Sequence, residues 1–284
     1  MAEDDRPFPA VLDRVHPRDA LDLMAWPWFS LAKAKRVEPL AFEQRGQYLR
    51  ISTSDPQRGI ATIWDADLLI WAVSQLTEAH DHGLRVSRRI AAPPYQILRF
   101  LGRGTAQRQY MLLGAALDRL AATAVETTLR APSGGASTQF KLLKDWRRAD
   151  GGIEITLSEW LFAAAVTDSR VLTIDARYFR LTGGVERWLW RLVRKHVGRQ
   201  STGWEIALGA LHARSGSMSR PSDFVAALRR IACDGMLPGY RIELTGTGTA
   251  SRLRAVRSAV HVPSAGRVPV EKPGDPSTEG RGLL

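Results

Sequence analysis

Apolar residues spaced three and four apart mark the clearest helices of this chain. Phe224, Val225, Leu228, Ile231 and Ala232 form one stripe, with Ser222, Asp223, Arg229 and Arg230 on the opposite face. Leu68, Leu69, Ala72, Val73, Leu76 and Ala79 form a second, capped by Asp65 and closed by Gly83. Tyr110, Leu113, Leu117, Leu120 and Ala124 predict a long helix capped by Thr105. Trp188, Leu189, Leu192, Val193 and His196 predict a strong one over residues 185–197, with Arg187, Arg191, Arg194 and Lys195 mostly on its polar face. Shorter helices are predicted over 95–101, from Ser158 onward, and over 206–213.

Alternating positions predict the strands. Residues 240–244 run to a turn at Gly246-Thr247-Gly248 and return over 251–257. Residues 38–43 and 47–53 pair around Gln44-Arg45-Gly46, and 60–64 and 86–90 are short and extended. Residues 125–130 and 138–146 form a second basic hairpin across Ser133-Gly134-Gly135. A strand over 153–157 follows the turn Asp150-Gly151-Gly152, and 172–181 is an extended connector. Pro27 bars Trp26-Pro27-Trp28-Phe29 from a helix interior. That segment reads as aromatics packed on a core, ahead of a stacking platform for bases. The basic run over 30–36 reads as a solvated face.

The order of elements repeats. In the second half, Ser215-Gly216-Ser217 breaks a short helix, and Pro221 suits the first position of the next. Ser219 is a better capping residue than Arg220 on chemical grounds. Helix, turn, helix and hairpin make the winged-helix layout, in which the second helix enters the DNA major groove. The first half has a leading helix, a short helix, a turn at Gly102-Arg103-Gly104, a polar-fronted helix and a basic hairpin. The fold class is therefore α+β, with two tandem winged-helix domains over 19–152 and 153–257. A flexible arm over 1–18 and a disordered tail over 258–284, rich in Pro, Gly and Ser, are expected to flank them.

Charge narrows the choice of partner. Forty Lys and Arg against 29 Asp and Glu give +11, the balance of a polyanion binder. No apolar run approaches the ~20 residues of a membrane span, and the acidic start MAEDDRPFP is unlike a signal peptide. A cytoplasmic protein with no membrane partner is expected. The single cysteine, Cys233, excludes an intramolecular disulfide and a thiolate zinc cluster, and its place beside the buried stripe suggests a small core residue.

Recognition of double-stranded DNA needs cations on phosphates and a few side chains at base edges. In the second domain the candidates are Ser219, Arg220, Ser222 and Asp223 at the helix start, with Arg229 and Arg230 further along. Arg220 can read guanine or hold a phosphate, and Asp223 can accept from cytosine or balance the helix dipole. Arg241, Arg252 and Arg254 alternate on the hairpin and would follow the backbone or minor groove. In the first domain the equivalents are Thr105, Gln107, Arg108 and Gln109, with Lys141 and Lys144 on the hairpin.

An enzyme is the competing class. His80-Asp81-His82, with Tyr95 or Tyr110, would suit metal-assisted nicking only with both imidazoles on one strand face. At a helix end, positions i and i+2 diverge by about 200°. The chain has no phosphate-binding Gly-x-x-x-x-Gly-Lys loop. No catalytic residue, metal or cofactor is expected. A transcriptional regulator keeps the fold and changes the role.

Asp22-Leu23-Met24, the WPWFSL stretch over 26–31, the basic residues of 33–36 and ATIWDAD over 61–67 together resemble the replication initiator protein A family of bacterial plasmids. Tyr178-Phe179 and Gly183-Gly184-x-Glu186-Arg187-x-Leu189 also match, and the resemblance runs over about residues 19–257. It implies a plasmid-encoded initiator with two winged-helix domains that binds repeated origin sites (iterons) and helps open the duplex. It also implies recruitment of the host replication initiator and replicative helicase. Related initiators exist as repressing dimers and initiating monomers, so the resemblance extends to a homodimer.

Overall fold

The computed structural model describes residues 6–10, 15–131, 135–149, 152–168, 170–198, 202–235 and 237–258. In chain order its elements begin β1 (Phe8–Pro9), β2 (Arg18–Ala20), α1 (Leu21–Ala25), β3 (Leu40–Gln44), β4 (Gln47–Thr53) and α2 (Ala66–Asp81). They continue β5 (Arg89–Ala92), α3 (Pro94–Phe100), α4 (Gln107–Ala122), β6 (Thr123–Thr127), β7 (Thr138–Lys141), β8 (Leu143–Ala149) and β9 (Gly152–Leu157). The last are α5 (Glu159–Ala165), β10 (Val171–Thr173), α6 (Gly184–Val197), β11 (Trp204–Ala207), α7 (Leu208–Ser215), α8 (Pro221–Asp234), β12 (Tyr240–Thr245) and β13 (Arg252–Arg257).

One topology occurs twice. The C-terminal run α6-β11-α7-α8-β12-β13 carries a sheet of order β11-β13-β12. The N-terminal run α2-β5-α3-α4-β8-β9 carries β5-β9-β8 in the same order, with β1 added parallel to β5. Between α4 and β8 the first unit inserts β6 and β7, which join the β3-β4 hairpin in a separate sheet of order β3-β4-β6-β7. Two expectations change. Residues 138–146 are not one strand, because the chain leaves one sheet after Lys141 and enters another at Leu143. The hairpin that corresponds to β12-β13 is therefore β8-β9, and the strand predicted over 153–157 is β9, which pairs with β5 and β8 and so packs with the first unit.

Local chemistry accounts for several element ends. The β3-β4 turn places both Arg45 (φ 53°) and Gly46 (φ 74°) in the left-handed region, the geometry of a two-residue hairpin turn. Ser158 caps α5 by accepting from the Leu161 N–H at 3.2 Å. Asp65 does not cap α2 as expected. Its carboxylate turns back to the Thr62 N–H and hydroxyl (2.8 and 3.0 Å) and across to Arg119 on α4 (2.7 and 2.8 Å). Residues 60–64 form only an isolated bridge, Ser30 to Thr62, in place of a strand, since the chain turns at 63–65 into α2. The connector over 172–181 is part strand and part 3-10 turn (Ala176–Arg180), and Ala124 belongs to β6, outside the preceding helix.

The aromatic stretch at 26–29 is core, with Trp28 fully buried. Trp28 lies 5.0 Å from Trp160, which stacks on Phe140 at 5.1 Å, and the Trp28 indole donates to the Asp22 carbonyl at 2.9 Å. Phe8 and Ala10, within the expected arm, are buried where β1 meets β5. Residues 1–5 and 11–14 of that arm, and 259–284 of the expected tail, lie outside the described residues.

The largest departure concerns α6. Arg187 and Arg191, expected on a polar face, are buried with the apolar stripe. Arg191 holds the Asp19 carboxylate with two bonds (2.6 and 3.1 Å), and Arg187 holds Asp67 of α2 at 2.7 Å while donating to the carbonyls of Leu181 and Phe179. Arg103 completes the Asp67 site at 2.7 Å. Burial opposes the charge of Arg191, but the field and hydrogen bonds of Asp19 outweigh it and hold the guanidinium above its ordinary range. Nearby, Asp22 is held below the usual carboxylate range: burial raises it, and Arg170 and Arg130 more than offset that. Breaking a buried pair costs more than replacing it. Arg191→Met is expected to cost ~3–5 kcal/mol in urea unfolding, and the double change Asp19→Leu with Arg191→Met to recover most of it.

Candidate nucleic-acid interface

Helix α8 is held from beneath. Phe224, Leu228 and Ile231 face inward, with Phe224 6.1 Å from Trp188 of α6 and 4.9 Å from His212 of α7. What remains outside is a stripe of Ser222, Ala226, Arg229, Arg230 and Cys233, with Asp223 beside it. Cys233, expected in the core, is exposed because it falls on this outer stripe. The Ala226 methyl lets the helix backbone approach a neighbouring surface between the polar side chains.

The turn ahead of α8 is a set of short serine contacts. The Ser215 hydroxyl donates to the His212 carbonyl at 2.6 Å and accepts the Ser217 N–H at 3.0 Å. Ser217 and Ser219 share a hydroxyl contact of 2.9 Å, and His212 Nε2 donates to the Ser219 carbonyl at 3.0 Å. Ser219 therefore tightens the turn without capping. The capping position falls to Arg220, whose side chain makes no cap bond and is exposed beside the free N–H groups of the first turn. The preceding helix starts at Leu208, later than the expected Ile206, because residues 204–207 form β11.

The hairpin supplies a second cationic surface. Register places Arg241, Glu243, Arg252 and Arg254 on one face, with Glu205 of β11 alongside. Arg241 reaches Glu243 at 2.8 Å, and Arg252 and Arg254 lie 3.7 and 3.8 Å from Glu205. Such exposed pairs are worth about 0–1 kcal/mol, so a phosphate can displace them cheaply.

In the first unit, Gln107 and Arg108 are exposed and Gln109 half-buried on the first turn of α4. Thr105 is exposed but does not cap, since the chain enters the helix one residue later at Ala106. The outer face continues with exposed Met111 and Leu112, so it is more apolar than that of α8. Lys141 and Lys144 are both exposed but stand on strands of different sheets, and only Lys144 lies on the counterpart of the C-terminal hairpin. On that hairpin Glu154 is clasped by Arg147 (2.7 Å) and Arg89 (3.1 Å), contacts that hold it below the carboxylate range, Arg147 most strongly. The central strand thus carries an acid between two arginines, where β13 carries Arg254 between Glu243 and Glu205.

His80 and His82 are exposed at the end of α2. His82 Nδ1 lies 2.7 Å from the Glu78 carbonyl, and the intervening Asp81 pairs with Arg18. Tyr95 and Tyr110 stand on α3 and α4. Among the described residues no three His, Cys, Asp or Glu side chains converge in a way that would hold a metal ion, and no helix is long and apolar enough to cross a membrane.

A family model described as replication initiator protein A matches residues 18–242. A "Putative replication protein" of Wigglesworthia glossinidia brevipalpis is 30% identical over 236 residues, which cover 79% of this chain and 84% of the relative. Among solved structures, the fold is similar to domains 2 and 3 of RctB. In a selenomethionine form the TM-score is 0.62 at 14% identity, covering 85% of this chain and 99% of that one. A second structure of the same domains gives 0.56 at 13%, covering 84% and 97%.

One half-buried titratable group tests the packing beneath this surface. His196 of α6 stacks on Trp204 of β11 at 4.7 Å, with no hydrogen bond to its Nε2. Burial, then the charges of Arg214 and Lys195, lower it from 6.5 to about 4. The fold favours the neutral ring, so its contribution is complete above pH 6.5 and lost as pH falls towards 4. Urea unfolding is expected to show a stability loss of ~2–3 kcal/mol across that window. His196→Phe, which keeps the stack, is expected to flatten it.

Proposed function

Because this chain belongs to the replication initiator protein A family, we propose that it starts plasmid replication by binding repeated sites in origin duplex DNA through two winged-helix units. The observation that carries this reading is the paired topology α-β-α-α-β-β, in which α8 turns a stripe with Ser222, Arg229 and Arg230 outward above a hairpin with three arginines. Helix α8 would enter the major groove with Arg220 at its leading end, and Arg241, Arg252 and Arg254 would follow the backbone. Helix α4 would present Gln107, Arg108 and Gln109 to a second segment, supported by Thr105, Lys144 and Lys141.

On this reading the chain would also help open the origin, recruit the host initiator and replicative helicase, and form a homodimer that represses; the family membership supports these roles. The exposed Met111 and Leu112 on α4 are the kind of surface a protein partner covers, so the first unit would combine DNA contact with assembly. The reaction would need no chemistry from this chain. His80 and His82 would serve as favourable charges at a helix end rather than as metal ligands. A winged-helix regulator predicts one protected promoter site where an initiator predicts a repeated array.

Mobility shift and footprinting on the plasmid's own origin are expected to give protected sites about one or two helical turns apart, without nicking of supercoiled DNA. Arg220→Ala is expected to cost the origin site ~1–3 kcal/mol and leave random duplex little changed. Equal loss on both would reduce Arg220 to a phosphate contact. His80→Ala and His82→Ala are expected to leave plasmid replication intact. A metal-dependent nick abolished by either would overturn the non-enzymatic reading.

A further inference from the structure

The basic run over residues 30–36, read from sequence as solvated surface, occupies an unusual place. Its segment threads between the two units. On one side it borders a cleft of about 580 Å³ against α4, where Lys33 and Lys35 face Arg108 and Gln109. On the other it borders a groove of about 370 Å³ against the start of α8, where Lys35 and Arg36 face residues 217–219 and Asp223. Lys35 lines both, so the loop lies between the candidate recognition helices.

The loop is pinned. The Ser30 N–H donates to Ala61 and its carbonyl accepts from Ile63, and the Ile60 N–H donates to Arg36, all at 2.9 Å. The Arg36 guanidinium donates to the carbonyls of Gly216 (2.7 Å), Glu38 (3.1 Å) and Pro39 (3.2 Å), which ties the loop to the turn ahead of α8. Two glycines admit it: a Cβ on Gly184 would lie 1.9 Å from the Leu31 carbonyl oxygen, and one on Gly59 2.7 Å from that of Arg36.

Around this pinned backbone, Arg58, Arg103, Arg119 and Arg187 on the cleft wall are already paired with aspartates, while Arg108 and Arg180 line the same cleft exposed, beside the loop's own lysines. Lys33 and Lys35 are exposed and, among the described residues, have no carboxylate within ion-pair distance; Lys33 Nζ sits 5.6 Å above the Trp64 ring. Held lysines without carboxylates, flanked by two helices aimed outward, suit backbone phosphate, which an ammonium binds as a point charge.

We propose that Lys33 and Lys35 clamp backbone phosphates of the duplex stretch that lies between the segments met by α4 and α8. This rests on the reading that both helices meet one DNA duplex. The clamp adds affinity and fixes the spacing of the two contacts, and carries no base preference.

The test compares Lys33→Gln with Lys35→Gln, made together, against the parent chain on origin and random duplexes over a salt series, with phosphate-ethylation interference on the origin duplex. Thermal unfolding of the same samples confirms folding. The log-log salt slope is expected to fall by about 2 on both duplexes. Interference at the phosphates between the two protected segments is expected to vanish. Lys33→Arg with Lys35→Arg is expected to keep both signals. An unchanged slope and interference pattern, with origin preference intact, overturns the clamp alone. A parent chain that binds origin and random duplex equally overturns the initiator reading, while the slope still decides the clamp. A parent chain that binds no duplex overturns both.

Discussion

The structure depends on two arginines one turn apart on α6 being buried against carboxylates from the other half of the chain. Arg187 meets Asp67 of α2, and Arg191 meets Asp19 of β2, with each of these four side chains almost wholly removed from solvent. Charges in such a place are tolerable only with close to full pairing, since desolvation costs several kcal/mol per ion. Any sliding of α6 against the first half of the chain would strand them. The pairs therefore act as a register more than as a source of net stability, and they fix how the second unit sits on the first.

That register carries outward to the surface. Helix α6 supports α8 through Trp188 and Phe224, and its first turn leaves room at Gly184 for the loop around Leu31. Asp65 and Asp67, at the start of α2, hold Arg119 of α4 and Arg103 ahead of it. The two outward helices and the basic loop between them are thus fixed by one set of buried contacts. For an initiator, such rigidity would translate the spacing of DNA segments into a spacing between protein units.

The two runs share a topology but differ in their surfaces. Among the described residues the C-terminal run is spare: three α-helices, three strands and an outer α8 face that mixes polar and cationic side chains with Ala226 and Cys233. The N-terminal unit adds β6 and β7, packs them with the β3-β4 hairpin, and exposes Met111 and Leu112 on its outward helix. Charge on the paired hairpins is inverted, with Glu154 central in one and Arg254 in the other. A shared frame with different surfaces fits units that divide the work of one protein.

Periodicity located α2, α4, α6 and α8, because a 3.6-residue stripe of apolar side chains is written locally. The motifs around Trp26 to Leu31 and Ala61 to Asp67 identified the family, because several specific residues recur there together. Three features were decided only by tertiary structure. Strand β11 is four residues long, and its Ile206-Ala207 end reads as the start of the next helix until β13 pairs with it. The hairpin of the first unit is β8-β9 because the chain changes sheets near Leu142, which alternation cannot reveal. Arg187 and Arg191 look like a solvated face in sequence, since a guanidinium is buried only where a distant carboxylate meets it. Local pattern specifies which residues share a face; partners 120 and 172 residues away in the chain decide whether that face meets water.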